Sequence, residues 1–268
     1  MTDSWLTIVT VVYNDRDELR RTLASVASIT CPGVRHVVVD GLSQDGSAEL
    51  ARAADHRPSV IVARDEGVYD AMNTGWRAAS DGMVMFLNAG DTFVRSDVVQ
   101  TLRAVASGSD WVRSNVVVVD GQGRRTRAVQ KPRFEPWAFR LGRQPVLHQG
   151  ALMSRALLAE LGGFDLTYRI AADYDLMIRA VEAGHRPRVV DLETVAMQTG
   201  GLSTLRWRES LTEKLRIAER GQSPLPRAQI LASFAELFVE VGARRALRRS
   251  TELALRGSSD AVFASLRQ

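Results

Sequence analysis

The feature that most constrains this chain is a set of four largely apolar runs separated by segments with helical spacing. None of these runs keeps a strict alternation of core and surface residues, which is typical of strands buried on both faces of a sheet. Strands of this kind alternate with helices in proteins whose central sheet is parallel. The sequence therefore predicts an α/β fold with a mostly parallel central sheet flanked by helices, with strands at Leu6–Val12, Val34–Val39, Val60–Ala63 and Met83–Leu87.

The segments between these runs carry apolar residues at the spacing of an amphipathic helix. After the first run, Leu19, Leu23 and Val26 lie three or four positions apart, on one helix face. Beyond Asp91 the strand and helix patterns alternate less regularly. Residues 131–145 (KPRFEPWAFRLGRQP) are too rich in Pro and Arg for regular structure. The further predicted elements are strands at Trp111–Val119 and Leu147–Met153 and helices at Val68–Ala79, Val98–Val105, Arg155–Leu161 and Asp173–Ala183.

Polar side chains follow each of the four runs. Because the carboxyl ends of parallel strands meet at one edge of the sheet, and ligands of such folds bind beyond that edge, it is the candidate site. Asp91 is separated from the run MVMFLN by only Ala89 and Gly90, so we expect an exposed carboxylate that a metal ion can reach. The polar residues at the strand ends are Tyr13, Asn14, Asp40, Asp65, Asn88 and Asp91.

Several classes of function are excluded by the composition and the loops. The segment VVYNDRDEL after the first strand contains no glycine, so neither a dinucleotide-binding fingerprint nor a P-loop is present there. Cys31 is the only cysteine, which excludes an internal disulfide and a Cys-based zinc cluster. The formal net charge of +4 is too small an excess to indicate nucleic-acid binding. The positive charges are almost all arginine, which suits phosphate groups.

The N-terminal stretch MTDSWLTIVTVVYN is interpreted as a strand and not as a signal peptide, because no basic segment precedes its apolar residues. No uncharged apolar run approaches the roughly 18 residues that are needed to span a bilayer. The sequence therefore predicts a cytoplasmic protein. Peripheral contact with the inner face of the cell membrane stays open because the C-terminal segment is basic.

Acidic strand ends suit a sugar nucleotide in two ways. A carboxylate such as Asp40 accepts a hydrogen bond from the ring N–H of uracil or guanine, and Tyr13 offers a stacking surface for the nucleobase. The diphosphate repels a lone carboxylate such as Asp91 unless a divalent cation, Mn²⁺ or Mg²⁺, lies between them. These residues favour a site for a nucleotide-activated sugar and a metal ion.

Seven short motifs follow one another along the chain: TVVYN, VVVDGLSQDG, DEGVYDAMNTG, MFLNAGD, HQG, YRIAADYDLMIRA and GGLS. In this order and spacing they resemble the inverting nucleotide-sugar glycosyltransferases of family 2, which have the GT-A fold. The resemblance runs from about Leu6 to about Ser203. Within the family, the chain is similar to the branch of bacterial exopolysaccharide and glycolipid enzymes, such as those of colanic acid synthesis.

The resemblance implies a GT-A domain over residues 1–205, with a nucleotide-binding half at 1–105 and an acceptor-binding half at 106–205. A helical C-terminal extension is expected over residues 206–268. The implied reaction moves a sugar from a nucleotide-diphosphate donor to a hydroxyl of a glycan or lipid-linked acceptor. It is a metal-assisted single displacement with inversion, and no nucleic acid takes part.

The resemblance also assigns roles to individual residues. Asp173 would be the general base, Asp91 would bind the divalent cation, and Asp40 would hold the nucleobase. His148 and Gln149 would lie near the acceptor or the diphosphate. The other residues implied to bind the nucleotide, the diphosphate or the donor sugar are Thr10, Tyr13, Asn14, Asp65, Gly67, Asp70, Asn73 and Asn88.

The chain departs from the common family pattern at four positions. Gly41 stands where a second aspartate commonly follows the second strand, and Asn88 stands where the metal motif commonly begins with an acidic residue. Met72 replaces an arginine, and Ala172 replaces a glutamate before the base. A single carboxylate at Asp91 leaves most of the metal coordination to phosphates and water.

Some alternatives stay open from the sequence. Asp173 and Asp175 face different directions on a helix, so one should meet the cleft while the other caps the helix or pairs with Arg179. His148 fits a satisfied core histidine as well as a functional one. Asp40 and Asp91 alternatively cap the helices that follow them.

The segment from Pro226 onward, with its arginine-rich helical pattern, fits three roles: a helix packed on the domain, a dimer contact, or a basic helix on an anionic membrane. Two other functions also remain. The chain could be a non-catalytic homologue that binds a sugar nucleotide or a partner. A nucleotidyltransferase fits less well, because NDRDELRR is a poor triphosphate-binding loop.

Overall fold

The structure of the protein is a computed structural model, and it describes residues 4–120, 122–129, 133–140, 147–198, 206–220, 228 and 231–232. Within these residues one mixed sheet is covered by helices on both faces. Its strands are β1 Leu6–Val12, β2 Val34–Asp40, β3 Ser59–Val62, β4 Met83–Phe86, β5 Thr92–Phe93, β6 Trp111–Val119, β7 Arg125–Val129, β8 Ala151–Ser154 and β9 Arg188–Gln198.

The helices alternate with the strands in the first half of the chain and cluster in the second. They are α1 Arg16–Ala27, α2 Ser47–Arg52, α3 Val68–Arg77, α4 Val98–Ala106, α5 Pro136–Arg140, α6 Arg155–Glu160, α7 Ala172–Glu182 and α8 Trp207–Glu219. A single turn of 3₁₀ helix at His148–Gly150 precedes β8.

The strand order is β3-β2-β1-β4-β8-β6-β9-β5, with β7 paired to β6. The first four strands are all parallel, and β1 lies between β2 and β4. Antiparallel pairing begins where β4 meets β8. The predicted α/β fold with parallel strands in its first half is confirmed, and the parallel arrangement brings the carboxyl ends of β1 to β4 to one edge.

The strands bury both of their faces, as their composition predicts. On β1, Val9 and Val11 belong to one hydrophobic cluster, and Leu6 and Ile8 belong to another on the opposite face. Helix α3 lies directly on the first face, where a Cβ added to Gly75 would come within 2.2 Å of a Val9 methyl carbon. Glycine at this helical position therefore sets the distance between α3 and the sheet.

Two predicted elements are wrong in part. The strand predicted at Leu147–Met153 begins only at Ala151, because His148–Gly150 forms a turn and Gly150 packs against the Ser114 carbonyl, where a Cβ would come within 2.7 Å. The predicted irregular segment 131–145 contains helix α5, because Phe139 is fully buried and anchors that turn in the core.

The sequence patterns did not predict β5, β7 and β9, whereas α8 lies within the helical extension expected over residues 206–268. Nearly all of the basic segment after Pro226 lies outside the described residues, so its predicted role is unchanged. None of the helices that the structure describes is long and apolar enough to cross a membrane.

We predict that Gly75→Ala destabilises the protein by about 1–3 kcal/mol, although alanine normally favours a helix. The added methyl group has no room against Val9, which is fully buried. Urea unfolding of the single and double variants checks this. Val9→Ala removes the obstructing methyl carbons, so the double variant should lose less stability than the sum of the two singles. Wild-type stability in Gly75→Ala would show that α3 does not lie this close to β1.

Candidate active site

The loops after β1 and β2 are fastened to each other by Asn14. Its backbone N–H donates to Ser43 Oγ over 2.9 Å, and its side-chain oxygen accepts from the Gln44 N–H over 2.8 Å. The left-handed φ of 49° at Asn14 makes this cross-loop contact possible. Asn14 therefore holds the two loops together, while the neighbouring Tyr13 ring is 68% exposed and free to stack on a planar ligand.

Asp40 lies at the end of β2 with its side chain fully buried. One carboxylate oxygen accepts from the Ser43 N–H over 2.7 Å, and this bond shapes the turn that follows. The other oxygen, Oδ2, has no hydrogen-bond partner within the described part of the chain. A buried acceptor without a partner is costly, so a donor such as a nucleobase N–H would relieve Asp40 if it reached this oxygen.

Asp65 explains the glycine that replaces the second aspartate after β2. A Cβ at Gly41 would lie 2.5 Å from Asp65 Oδ2 and 3.3 Å from the Tyr13 ring, so a larger residue at position 41 would displace both. Burial and the charges of Asp70 and Asp40 raise the pKa of Asp65. The structure thus groups Asp65 with Tyr13 and Asp40, whereas the resemblance placed it along the diphosphate and sugar.

The loop before α3 is held in place by its own carboxylates. Asp65 Oδ1 accepts from the Gly67 N–H over 2.9 Å, and Asp70 Oδ2 accepts from the Glu66 N–H over 3.1 Å. Gly67 has a φ of 130°, which L-residues rarely adopt, and a Cβ there would meet no described atom within 4 Å. This loop is therefore ordered while the space beside Gly67 stays open.

Two residues predicted to contact the donor face inward, and these predictions need correction. Thr10 is fully buried, and its hydroxyl contacts the Leu87 carbonyl at 2.7 Å and His36 Nε2 at 2.9 Å. Asn73 bonds to both the N–H and the carbonyl of Phe164 and accepts from the Trp76 indole. Their polar groups are used inside the protein, so they support the site from beneath and do not line it.

Asp91 is buried instead of exposed, contrary to expectation, with only 4% of its surface accessible. Its backbone is fixed by the Asn88 carbonyl and by the Thr22 hydroxyl. Burial raises the pKa of Asp91 to about 7, against the lowering influence of the His148 charge and the Gln149 amide. At neutral pH this carboxylate is therefore close to its protonation midpoint.

The Asn88–Asp91 turn has oxygen atoms that could hold a hard divalent cation. Asn88 Oδ1 and Asp91 Oδ2 are both buried and lack hydrogen-bond partners among the residues described. Carbonyl and carboxylate oxygens are the usual ligands of Mg²⁺ and Mn²⁺. The described residues contain no cluster of three or more His, Cys, Asp or Glu suited to a metal. The donor set fits a cation whose remaining ligands come from a diphosphate and water.

Asp173 receives hydrogen bonds at both carboxylate oxygens. His148 Nδ1–H donates to Oδ2 over 3.0 Å, and the Tyr174 N–H donates to Oδ1 over 2.8 Å. The Tyr69 hydroxyl contacts Oδ1 at 3.2 Å and shares its proton with the Ile170 carbonyl, which is closer at 2.8 Å. Burial raises the pKa of Asp173, but the His148 hydrogen bond and charge, the Lys214 charge and the Tyr174 amide outweigh it. The pKa of Asp173 therefore lies below its ordinary value, and the carboxylate is ionised at neutral pH.

His148 connects Asp173 to the Asn88–Asp91 turn. Its Nε2 lies 3.4 Å from the Asn88 side-chain nitrogen, while its Nδ1 contacts Asp173. The HQG motif therefore brings together residues that are 60 and 25 positions away in the chain. His148 belongs to the site and not to the apolar core, and Gln149 lies beside Asp91.

Asp175 has a different role from Asp173. It is fully buried, accepts from Arg179 Nε over 2.8 Å and contacts Arg220 from α8. The predicted pairing of Asp175 with Arg179 is present. No sequence pattern indicated Glu213 and Lys214, because only the packing of α8 brings them close to the start of α7.

Comparisons with known proteins identify the family. The family model for glycosyl transferase family 2 matches residues 7–161. An uncharacterised glycosyltransferase of Mycobacterium tuberculosis is 33% identical over 184 residues, which cover 65% of this chain and 68% of the relative. A PGL/p-HBAD biosynthesis glycosyltransferase of Mycobacterium bovis is 31% identical over 179 residues, which cover 64% and 68% respectively.

Solved structures share the fold at low sequence identity. Residues 1–349 of S. aureus TarS, in complex with UDP-GlcNAc, align with a TM-score of 0.68 and 18% identity, covering 88% of this chain and 72% of that chain. The mannosyltransferase PcManGT from Pyrobaculum calidifontis, in complex with GDP-Man and Mn²⁺, aligns with a TM-score of 0.61 and 19% identity, covering 92% and 81%.

The fold is that of GT-A glycosyltransferase structures, and the family model defines the class of protein as a glycosyltransferase. The family match covers more than half of the chain. The chain belongs to glycosyl transferase family 2.

We predict that Asp91→Asn stabilises the metal-free protein more at pH 8 than at pH 5. The folded pKa of about 7 lies above the ordinary value of 3.8, so the favourable contribution of the protonated form is lost as pH rises through 7. The difference between the two pH values should be on the order of 2 kcal/mol. Urea unfolding in the presence of a chelator measures it, and an equal effect at both pH values would contradict the burial of this carboxylate.

Proposed function

We propose that the protein is an inverting glycosyltransferase, with a nucleoside-diphosphate sugar as donor, a hydroxyl of a glycan or glycolipid as acceptor, and Asp173 as general base. The observation that carries this proposal is the ionised Asp173 carboxylate, held by His148, Tyr69 and the Tyr174 N–H beside the polar edge of the sheet. A general base must be ionised and oriented before the acceptor arrives, and Asp173 meets both conditions.

In this proposal the acceptor hydroxyl attacks the anomeric carbon from the face opposite the diphosphate. The new bond joins the acceptor oxygen to that carbon, the bond from the carbon to the diphosphate oxygen breaks, and the hydroxyl proton passes to Asp173. His148 and Tyr69 keep the carboxylate oriented during this transfer. One displacement at the anomeric carbon inverts its configuration.

The donor would bind across the edge formed by the ends of β1, β2 and β4. Tyr13 would stack on the nucleobase, and Asp40 and Asp65, which lie close to it, would accept hydrogen bonds from the nucleobase or the ribose. The neighbours TarS and PcManGT, whose structures contain UDP-GlcNAc and GDP-Man, support a donor of this class.

Asn88 and Asp91 would hold a divalent cation through their unpartnered oxygens, as the Mn²⁺ in the PcManGT complex supports. Such a cation, when bound, neutralises charge that develops on the departing diphosphate. The described part of the protein leaves these two oxygens without hydrogen-bond partners, so they would be available to the cation. Asp91 would hold such a cation in its ionised form, which a pKa of about 7 makes accessible at neutral pH.

A glycolipid acceptor is supported by the mycobacterial relative of the PGL/p-HBAD biosynthesis type. The finer assignment to a colanic-acid type of pathway stays a prediction. A non-catalytic homologue is the second candidate, because the described residues offer few metal ligands. Turnover by the wild-type protein decides between the two.

The central prediction concerns Asp173→Asn. The asparagine keeps the shape of the side chain but cannot accept a proton, so kcat should fall by roughly 10²–10⁴-fold. Nucleotide affinity, measured by calorimetry, should stay within about twofold, since Asp173 is proposed to act on the acceptor. Glu182→Gln, on the exposed end of the same helix, is the matched control. Wild-type turnover in Asp173→Asn would exclude Asp173 as the base.

A second experiment identifies the donor. Thermal unfolding with UDP-, GDP- and dTDP-sugars should show one class that stabilises the protein, and more so with Mn²⁺ than without it. Asp91→Ala should remove the Mn²⁺-dependent part of this stabilisation. Asp97→Ala, at an exposed aspartate paired with Arg95, should retain it. Full Mn²⁺ dependence in Asp91→Ala would show that the cation binds elsewhere.

A further inference from the structure

Glu213 forms an unusual contact for a glutamate in the middle of a helix. Its carboxylate, 8% exposed as a residue, accepts hydrogen bonds from three successive backbone N–H groups outside its own helix. Oε1 accepts from Arg169 over 2.9 Å, and Oε2 accepts from Ile170 and Ala171 over 2.8 Å each. These three residues immediately precede α7.

The position of these amides gives the contact its meaning. The three amides belong to Ala171, the N-cap residue of α7, and to the two residues before it. They precede the helix, so its own backbone hydrogen bonds do not use them. Glu213 supplies their acceptor from α8, about 40 residues further along the chain. Asp173 is the second residue of the helix that is fixed in this way.

We infer that Glu213 is a positioning residue, which holds the segment 169–171 and thereby orients Asp173 toward the acceptor. This inference rests on the proposed role of Asp173 as the general base. Among the described contacts, the hydrogen bonds of Glu213 go to residues 169–171 and not to Asp173. Glu213 also lies beyond residue 161, where the family match ends. Its role follows from the three amide contacts alone.

Helix α8 reaches the first turn of α7 at other points as well. Arg220, just after α8, contacts the buried Asp175, and Ile217 belongs to the main hydrophobic cluster. The Lys214 ammonium lies 5.9 Å from the centre of the Tyr174 ring. The helix is therefore anchored on α7 by apolar and charged contacts, and Glu213 lies between these anchors. Because these anchors fix α8 on either side of Glu213, the Glu213 carboxylate can keep the three amides in a fixed arrangement.

Two substitutions of Glu213 make the inference quantitative. Glutamine has one carbonyl oxygen, which can replace Oε2 and accept from Ile170 and Ala171, but its NH₂ group then faces the Arg169 N–H as a second donor. Alanine accepts from none of the three. We therefore expect kcat to fall in Glu213→Gln and to fall further in Glu213→Ala.

We expect Glu213→Ala to lower kcat at least 10-fold and Glu213→Gln to lower it by less, while the KM for the donor sugar stays within about twofold in both. A general loss of structure would instead weaken donor binding and turnover together. Glu209→Ala is the matched control, because Glu209 lies one turn earlier on α8, is exposed and forms its salt bridge with the neighbouring Arg206. It should behave as the wild type.

A double-variant cycle tests whether Glu213 acts through Asp173. If it does, Glu213→Ala should cause little further loss of residual transfer in the Asp173→Asn background. If the losses of transfer activity in the two single variants add in the double variant, the inference is overturned. If Asp173→Asn is inactive while Glu213→Ala turns over like the wild type, the positioning role is wrong and the proposed function stands. If Asp173→Asn is fully active, both fall.

Hydrogen–deuterium exchange gives a readout that does not depend on activity. In Glu213→Ala, the amides of residues 169–171 should exchange at least 10-fold faster than in the wild type, and in Glu209→Ala they should be unchanged. The Glu213→Gln variant should retain partial protection, which keeps the test valid if the alanine variant folds poorly. Unchanged protection in Glu213→Ala would overturn the amide contacts and, with them, the inference.

Discussion

The site depends on keeping the Asp173 carboxylate ionised where little water reaches it. Burial alone would favour the neutral acid, because a carboxylate loses hydration that the protein must replace. Here the replacement comes from donors on three separate segments: His148 before β8, Tyr69 on α3 and the Tyr174 N–H on α7 itself. Each donor reaches Asp173 only when its own segment is packed in place. The packing of α3, α7 and the turn before β8 therefore affects the protonation state of the Asp173 carboxylate.

The same sheet edge holds a second carboxylate in the opposite electrostatic condition. Asp91 receives too few donors to offset its burial, so its pKa rises to about 7, whereas that of Asp173 falls. Two carboxylates whose environments push their pKa values apart are suited to different tasks. An ionised carboxylate that is held in one orientation is ready to accept a proton. A carboxylate with an unpartnered oxygen suits a cation that displaces its proton on binding.

The sequence predicted the parallel strands and the helices around them to within one or two residues, because each carries its own apolar pattern. It failed where polar residues have partners far along the chain. From its position in the sequence, Thr10 is predicted to lie at the polar edge, yet its hydroxyl donates a hydrogen bond to the Leu87 carbonyl, 77 positions away. Asn73 is used in the same way by Phe164, 91 positions away. No local pattern distinguishes an inward polar side chain from one that faces a ligand, nor reveals that Asp91 is covered.

The division of the site along the chain has a physical consequence. The residues proposed to bind the donor come from the first 91 positions, and the proposed base lies at position 173 on α7, stabilised by a helix that begins at Trp207. His148 contacts both Asn88 and Asp173, and Tyr69 on α3 also reaches Asp173. The two halves are therefore joined by more than one side chain at this edge. A shift of Asn88 on donor binding would act on the imidazole that contacts Asp173.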